Sequence, residues 1–399
     1  MQEAYLAGGV RTPVGRYGGS LAGVRPDDLA ALVIQRAVED AGIDPNDVDE
    51  VIMGNVNGAG EDNRNVARMS WLLAGFPDTV PGITVNRLCA SGLSAIILAS
   101  QMVRCGDADV VVAGGVESMS RAPWVMEKPT TAFAKPGAMF DTSIGWRFTN
   151  PRFLERDKLT YSMPETAEEV AEVEGVTRDE ADAFAVSSHE RALAAIEAGR
   201  FRDEIVPVTV PGPKGSTRLV DTDEGPRAGT TPEVLARLRP VVDGGSVVTA
   251  GNSSSLNDGA SAILVVSERA ARKYGLRTRA RIVQGASVGV RPEVMGIGPV
   301  PATRKVLERA GWKVEDLGAV ELNEAFASQS VACVRQLGLD PAVVNSDGGA
   351  IALGHALGSS GSRLVVTLLG RMEREGAEKG LATMCVGVGQ GTALLLERP

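Results

Sequence analysis

Covalent chemistry needs a nucleophile, a base or a metal ligand, and this chain holds few of each. Its 399 residues include four cysteines, Cys89, Cys105, Cys333 and Cys385, and two histidines, His189 and His355. Cys89 lies in Ile83-Thr-Val-Asn-Arg-Leu-Cys89-Ala-Ser-Gly-Leu93. A strand pattern ending near Leu88 gives way there to a helix pattern carried by Leu93, Ile96, Ile97 and Val103. Backbone N–H groups at a helix start lack intrahelical partners and point toward such a residue. The positive end of the helix dipole is expected to favour its thiolate, the nucleophilic form. A small buried hydrophobe is the ordinary fate of a free cysteine, and position alone leaves both readings open.

His355 lies in Gly348-Gly-Ala-Ile-Ala-Leu-Gly-His-Ala-Leu-Gly-Ser-Ser-Gly361, where glycines permit close ligand approach. A histidine in a glycine-rich turn before a helix points to function more than one on a helix face. The alternative is a structural histidine bonded to backbone. No acid, cysteine or second histidine clusters beside it, which argues against a metal site. Cys385, in Met384-Cys-Val-Gly-Val-Gly-Gln-Gly391, is expected near the end of a strand, followed by glycines able to aim an N–H at an oxyanion. These glycines lack the spacing and following helix of a phosphate loop. Asn323, in Glu321-Leu-Asn-Glu-Ala-Phe326, also follows a strand and has a side chain able to hold a water or an oxygen. His189, amid Ser187-Ser-His-Glu-Arg-Ala-Leu193, reads as a solvated helix-surface residue without a catalytic role.

The elements that must position these groups come from an internal duplication. Ala41–Ile52 aligns with Ala310–Glu321. Gly42 and Gly311 each end a helix pattern, Leu29, Leu32, Val33 and Ala37 in the first and Ala302, Val306 and Ala310 in the second. Each helix leads to a strand, Val51–Val56 and Ala319–Leu322. A further strand and an asparagine follow, Thr84-Val-Asn86 and Val343-Val-Asn345, then a Gly/Ser-rich turn and a long helix. In the second half that helix carries Leu364, Val365, Leu368 and Met372 at helical spacing. Buried strands close the units at Asp109–Gly115 and Leu381–Gly387, so that Gly387 matches Gly114 at a strand end. Strands alternating with helices predict α/β halves with mixed or parallel sheets covered on both faces. Two such halves would pack helix against helix about a pseudo-twofold axis, with sites where corresponding loops meet.

Between the halves, seven of the sixteen aromatics fall within Trp124–Tyr161. Aromatics on a long loop suggest a lid or an interface. Two helix patterns follow from near Pro164 and Thr177, the second opened by the capping box Thr177-Arg-Asp-Glu180. The four dispersed cysteines, without CxxC, argue against a disulfide framework or zinc and suit a reducing, cytoplasmic setting. The start of the chain has no signal-peptide pattern, and no apolar run reads as long enough for a bilayer. A net charge of -9 speaks against nonspecific nucleic-acid binding.

Together these segments resemble the thiolases, the acyl-CoA acetyltransferases, over essentially the whole chain. Asn86-Arg-Leu-Cys-Ala-Ser-Gly92 resembles the nucleophile motif. Asn323-Glu-Ala-Phe326, Gly354-His355 and Cys385-Val-Gly387 resemble the other three catalytic motifs, and Val248–Gly259 the coenzyme A loop. The resemblance implies two thiolase halves in a layered αβαβα fold: residues 1–120, completed by about 250–270, and residues 271–399. A loop domain over 121–249 would cover the coenzyme A site. It implies Cys89 as acyl carrier, His355 as base, Cys385 as carbon acid and base, and the N–H groups of Cys89 and Gly387 as oxyanion donors, with Asn323 holding a water. Ser254 would contact the pantetheine arm, Met163, Met295 and Phe326 would line the channel, and Arg227 would lie near the nucleotide. For Met163 and Met295 the alternative is gap-filling core, and for Arg227 a solvated surface arginine. Coenzyme A enters as substrate, with no metal or resident cofactor, and the family implies a homotetramer of paired dimers.

Gly60–Arg68, Asp141–Phe148 and Ser162–Glu168 are similar to β-ketoadipyl-CoA (3-oxoadipyl-CoA) thiolases; acetoacetyl-CoA thiolases usually have His at the position of Ser162. Arg64 or Arg147 would pair a distal substrate carboxylate, the alternative being an interface salt bridge. The other readings are a broad-range 3-ketoacyl-CoA or acetoacetyl-CoA thiolase, a decarboxylating ketoacyl synthase, which normally needs two active-site histidines, and a non-catalytic thiolase-like binding protein. Three positions depart from the family. Ala356 replaces a proline, which is expected to loosen the His355 backbone. Ala90 stands for a common glycine and is expected to add a methyl beside the acyl site. Asp347 stands where asparagine is common.

Overall fold

The computed structural model describes residues 2–399. Its main sheet is built, in chain order, from β1 (Ala4–Arg11), β2 (Glu50–Gly54), β3 (Gly82–Val85), β4 (Val110–Ser118), β5 (Asn257–Ser267), β6 (Thr278–Gly289), β7 (Ala319–Leu322), β8 (Lys379–Val386) and β9 (Gln390–Glu397). The strands lie in the order β7-β8-β9-β6-β1-β5-β4-β2-β3. β2 runs parallel to β3 and β4, and β7 parallel to β8; the other neighbours are antiparallel. The sheet is therefore mixed. The helices that matter for the site are α1 (Pro26–Ala41), α2 (Val66–Leu73), α3 (Ser91–Cys105), α4 (Met163–Glu174), α5 (Arg178–Glu197), α6 (Pro299–Ala310), α7 (Ala327–Leu337) and α8 (Leu357–Glu375).

Strand alternation explains the layers. On β4, Val110 and Val112 face an outer core with Leu29, Val33 and Trp71 of α1 and α2. Val111 and Ala113 point the other way, into an inner core with Leu93 and Ile96 of α3 and Leu364 and Leu368 of α8. A period of two on a strand buried on both faces needs apolar residues throughout, as β4 and β5 have. The second half repeats the scheme, with Val306 of α6 and Leu337 of α7 outside and Met384 and Leu394 inside. Helices, sheet half, helices, sheet half and helices give the five layers expected from the sequence.

The inner helices touch through backbone. A Cβ on Gly92 would lie 2.6 Å from Ser362 Oγ, and one on Gly361 would lie 2.3 Å from Leu93 N. Any larger residue would force α3 and α8 apart, and these helices carry the Cys89 and His355 turns. The stretch Leu88–Cys105 has a mean hydropathy of 1.4, apolar enough by composition to cross a bilayer, contrary to the sequence reading. Its inner-core face, with Leu93, Ile96, Ala99 and Val103, explains much of that composition, and 56% of the stretch is buried in the protein.

The duplication holds in outline and differs in detail. Gly42 (φ 64°) and Gly311 (φ 67°) both close their helices in the left-handed conformation that glycine adopts freely. β3 stops at Val85 rather than near Leu88. The expected strand at Val343-Val344 reduces to a single bridge between Val344 and Val320. There Asn345 replaces ladder bonds with its amide, which accepts from Leu322 N–H (2.9 Å) and donates to Leu322 O (2.8 Å). Gly114 lies in mid-strand, because β4 stays paired with β5 out to Ser118, whereas β8 ends one residue before Gly387. The helices after Ser162 and Thr177 both begin with complete capping boxes, of which the sequence reading identified the second.

Candidate active site

The Cys89 turn is made by side chains that take over backbone duties. Asn86 Oδ1 accepts the Leu88 N–H (2.9 Å), and Asn86 Nδ2 donates to Val56 O (2.8 Å). Ser91 Oγ donates to Leu88 O at 2.6 Å. These bonds hold Leu88 at φ 46°, an unusual conformation for a bulky residue and a form of strain that clusters at functional sites. Cys89 is half-buried at the start of α3. Burial pushes its thiol up to about 11, although N–H groups of Gly387 and of Cys89 itself pull the other way; Glu117 adds to the rise. The expected helix-dipole gain is therefore outweighed by desolvation, and the resting group is a thiol.

His355 is fixed on three sides. Its N–H donates to Asn257 Oδ1 (2.9 Å), and it bridges Leu256 in parallel register. Ser360 Oγ lies 2.6 Å from His355 Nδ1. The same hydroxyl donates its proton to Ala356 O at 2.9 Å, one helical turn back. With that proton on Ala356 O the hydroxyl accepts from Nδ1–H, the tautomer in which Nε2 is the acceptor. Nε2 faces Asn323 Nδ2 at 3.5 Å. Burial, with a smaller push from Arg363, lowers the imidazole to about 3, so it rests neutral and ready to accept a proton. Ala356 sits at φ -72°, the value a proline would impose, so the turn has the conformation that the family proline would fix.

The second thiol lies across from the first. Cys385 is fully buried near the end of β8, in a small apolar cluster with Met163, Val248, Met295, Ala325 and Phe326. Burial holds its thiol far above the usual range, and Cys89 pushes it further. Gly387 follows it. A Cβ there would lie 3.1 Å from Leu88 Cδ1 and 3.7 Å from Met163 Sδ, which ties the two cysteine turns to α4. Asn323 is fully buried, donates its N–H to Thr383 O (3.0 Å), and leaves its Oδ1 without a protein partner. An orphaned buried acceptor is costly unless a water or ligand satisfies it. Among the described residues, no group of three His, Cys, Asp or Glu side chains is placed to hold a metal.

Contacts thus tie Cys89, Cys385, Gly387, Met163, Met295 and Phe326 into one group, and His355 with Asn323 into a second. Ser254 is half-buried beside them, its N–H donating to Ala325 O at 2.9 Å. Arg227 stands apart, with an exposed side chain. Its N–H donates to Nδ1 of His189 at 3.2 Å. His189 is buried rather than solvated, and burial followed by the nearby Arg227 and Arg16 lowers it to about 4. The helix-surface expectation failed because 187–193 shows no clean apolar face from which its inward side could be read. Arg64 is exposed, and Arg147 is half-buried with only a long bond to Gly145 O (3.4 Å). Ala90 is fully buried in the inner core with Leu93, against which Cys89 also packs. Asp347 is buried against Arg200 (2.6 Å) and Arg374, two partners that favour a carboxylate over an amide.

Sequence reasoning missed Ser360 and Glu117. Ser360 was legible only as one of several small residues in a Gly/Ser turn, and Glu117 as the tail of a strand.

Residues 4–269 match the thiolase N-terminal domain family, and residues 276–398 the thiolase C-terminal domain family. A Pseudomonas aeruginosa protein named beta-ketoadipyl-CoA thiolase is 54% identical, across 100% of this chain and 99% of its own. A second protein of that organism, named acetyl-CoA acetyltransferase, is 51% identical across 100% of both chains. The crystal structure of the Bacillus anthracis acetyl-CoA acetyltransferase superposes with a TM-score of 0.93 at 42% identity, covering 100% of this chain and 99% of that one.

Proposed function

Because the chain belongs to the thiolase family, we propose that it cleaves 3-ketoacyl-CoA through an acyl-Cys89 intermediate, with 3-oxoadipyl-CoA as its substrate. The observation that carries the mechanism is the pairing of groups: Cys89 receives the Gly387 N–H and lies beside the buried Cys385, and His355 Nε2 faces Asn323, whose Oδ1 has no protein partner; burial keeps both thiols and the imidazole neutral. Cys89 gives its proton to His355 and attacks the 3-keto carbon. The N–H groups of Cys89 and Gly387, now directed at sulfur, meet the developing oxyanion. The C2–C3 bond breaks to an enolate, whose thioester oxygen is held by protonated His355 and by a water on Asn323 Oδ1. Cys385 protonates C2 and acetyl-CoA leaves. Incoming coenzyme A gives its thiol proton to the Cys385 thiolate and takes the acyl group from Cys89. Protonated His355 returns its proton to the Cys89 sulfur, which restores the starting state. The reverse sequence is a Claisen condensation.

Ser254, Met163, Met295 and Phe326 flank the pantetheine path in this reading, and Arg227 lies near the nucleotide. Residues 121–249 cover the coenzyme A site between the halves 1–120 and 271–399. A tetramer of paired dimers accounts for the exposed Trp124, Met126, Phe133 and Met139, an apolar group without cover in one protomer. The four free thiols fit a cytoplasmic setting.

Incubation with acetyl-CoA followed by peptide mass spectrometry should find the acetyl group on Cys89; absence of any adduct would leave the binding-protein reading in its place. The substrate has its own test, since a relative named acetyl-CoA acetyltransferase is almost as similar as the β-ketoadipyl one. If Arg64 or Arg147 pairs the distal carboxylate, its replacement by alanine lowers kcat/KM for 3-oxoadipyl-CoA roughly 10- to 100-fold, the worth of a charged hydrogen bond. Activity on acetoacetyl-CoA should hold. An unchanged preference in both variants sinks this assignment and favours a broad-range enzyme.

A further inference from the structure

Glu117, near the end of β4, is buried and has no part in the proton transfers above. Its Oε2 accepts the Val56 N–H (3.0 Å) and the Gly358 N–H (2.9 Å), and its Oε1 accepts the Asn57 N–H (3.2 Å). Val56 O in turn takes the amide of Asn86, which shapes the Leu88 turn before Cys89. Gly358 belongs to the first turn of α8, whose Ser360 holds His355. One carboxylate therefore braces the nucleophile turn and the base helix together, across the two halves of the fold.

We propose that Glu117 is a positioning residue for the Cys89 turn and the His355 helix, and that its negative charge adds to the burial that holds Cys89 as a thiol. The role in catalysis rests on Cys89 being the nucleophile. A purely structural brace is the competing account, and electrostatics separates the two. The titratable groups facing Glu117 are Asp62, from the loop that also receives the Gly58 and Gly60 N–H groups, and Cys89 from its own turn. The third neighbour is the positive N-terminal end of α8. Burial pushes Glu117 up to about 7, with Asp62 adding to the rise, while its three N–H donors oppose it. Its charge is therefore lost below neutrality and complete above it. A charged Glu117 opposes a second negative charge on Cys89, so the restraint on the thiolate grows as pH rises through 7.

Alkylation of Cys89 by iodoacetamide, followed by peptide mass spectrometry from pH 5.5 to 9.5, reads this directly. Glu117→Gln keeps an oxygen for Val56 and Gly358 but removes the charge. It should alkylate about three- to tenfold faster than the parent at pH 9, a shift of half to one pKa unit, and equally fast below pH 6. It should also lower kcat for thiolysis. A rate ratio that stays flat with pH, whatever happens to Tm, overturns the proposal and leaves a structural brace. Should Glu117→Gln not fold, Asp62→Asn carries the test: the inflection near pH 7 in the parent alkylation profile should move to lower pH, and an unmoved inflection overturns the proposal. Alkylation needs no acyl-CoA. Failure to form acetyl-Cys89 would count against the thiolase mechanism and leave this result standing.

Discussion

Cys385→Ala is expected to keep acetylation of Cys89 at close to the parent rate while thiolysis of a 3-ketoacyl-CoA falls about 10²- to 10⁴-fold, the span of a well-placed general acid. The separation follows from where each sulfur stands. In the proposed mechanism, acylation from acetyl-CoA needs only Cys89 and His355 and no carbon acid. Cys385 is enclosed with Met163, Met295 and Phe326, and burial keeps its proton on sulfur until a carbanion forms beside it. Trimming the thiol to a methyl preserves the apolar contacts of that cluster. The measurement is a pair of rates on one preparation: coenzyme A exchange from acetyl-CoA, and disappearance of the 3-ketoacyl-CoA. Equal loss in both would show that Cys385 supports the fold of the site rather than one chemical step.

His355→Ala should abolish what Cys385→Ala spares, and its pH dependence should identify the reason. With its thiol at about 11, Cys89 without a base is ionised to roughly one part in 10⁴ at pH 7, so acylation falls toward that fraction. Raising the pH then supplies thiolate without a base, about tenfold per unit up to pH 10. The parent enzyme should lack that steep rise, because its neutral imidazole, lowered to about 3, stays free to take the proton across the whole range. Acylation measured from pH 6 to 10 decides the point. A variant that loses activity without this alkaline recovery would place the role of His355 in binding or in the oxyanion rather than in proton transfer.

The reacting groups were legible in the sequence because each sits where a strand or a helix pattern breaks, and such breaks can be read from periodicity. Cys89, Asn323 and His355 occupy such turns and Cys385 lies near the end of a strand, with Cys89 beside Cys385 and Asn323 beside His355. Their protonation was not legible. The dipole argument for a Cys89 thiolate considered only α3, whereas the ionisation is set by burial contributed from β4, β8 and α4. Glu117, Ser360 and His189 were missed for a related reason: their partners are 241, 5 and 38 residues away and are assembled by tertiary packing. The strand expected at Val343-Val344 failed because a side chain, Asn345, supplied the bonds that periodicity assigned to backbone.

The position of β1 has a consequence for biosynthesis. This strand precedes both of its partners in the chain and lies in the middle of the sheet, paired on one edge with Asn257–Ser267 and on the other with Thr278–Gly289. Both partners leave the ribosome roughly 250 residues later, about 12 to 50 s at ordinary elongation rates. Throughout that interval a segment with two unsatisfied edges waits in the cell, with the same vulnerability to pairing with a neighbouring nascent chain as any exposed strand. Slowing translation upstream of residues 257–289 is therefore expected to raise the aggregated fraction, read by sedimentation of the expressed chain.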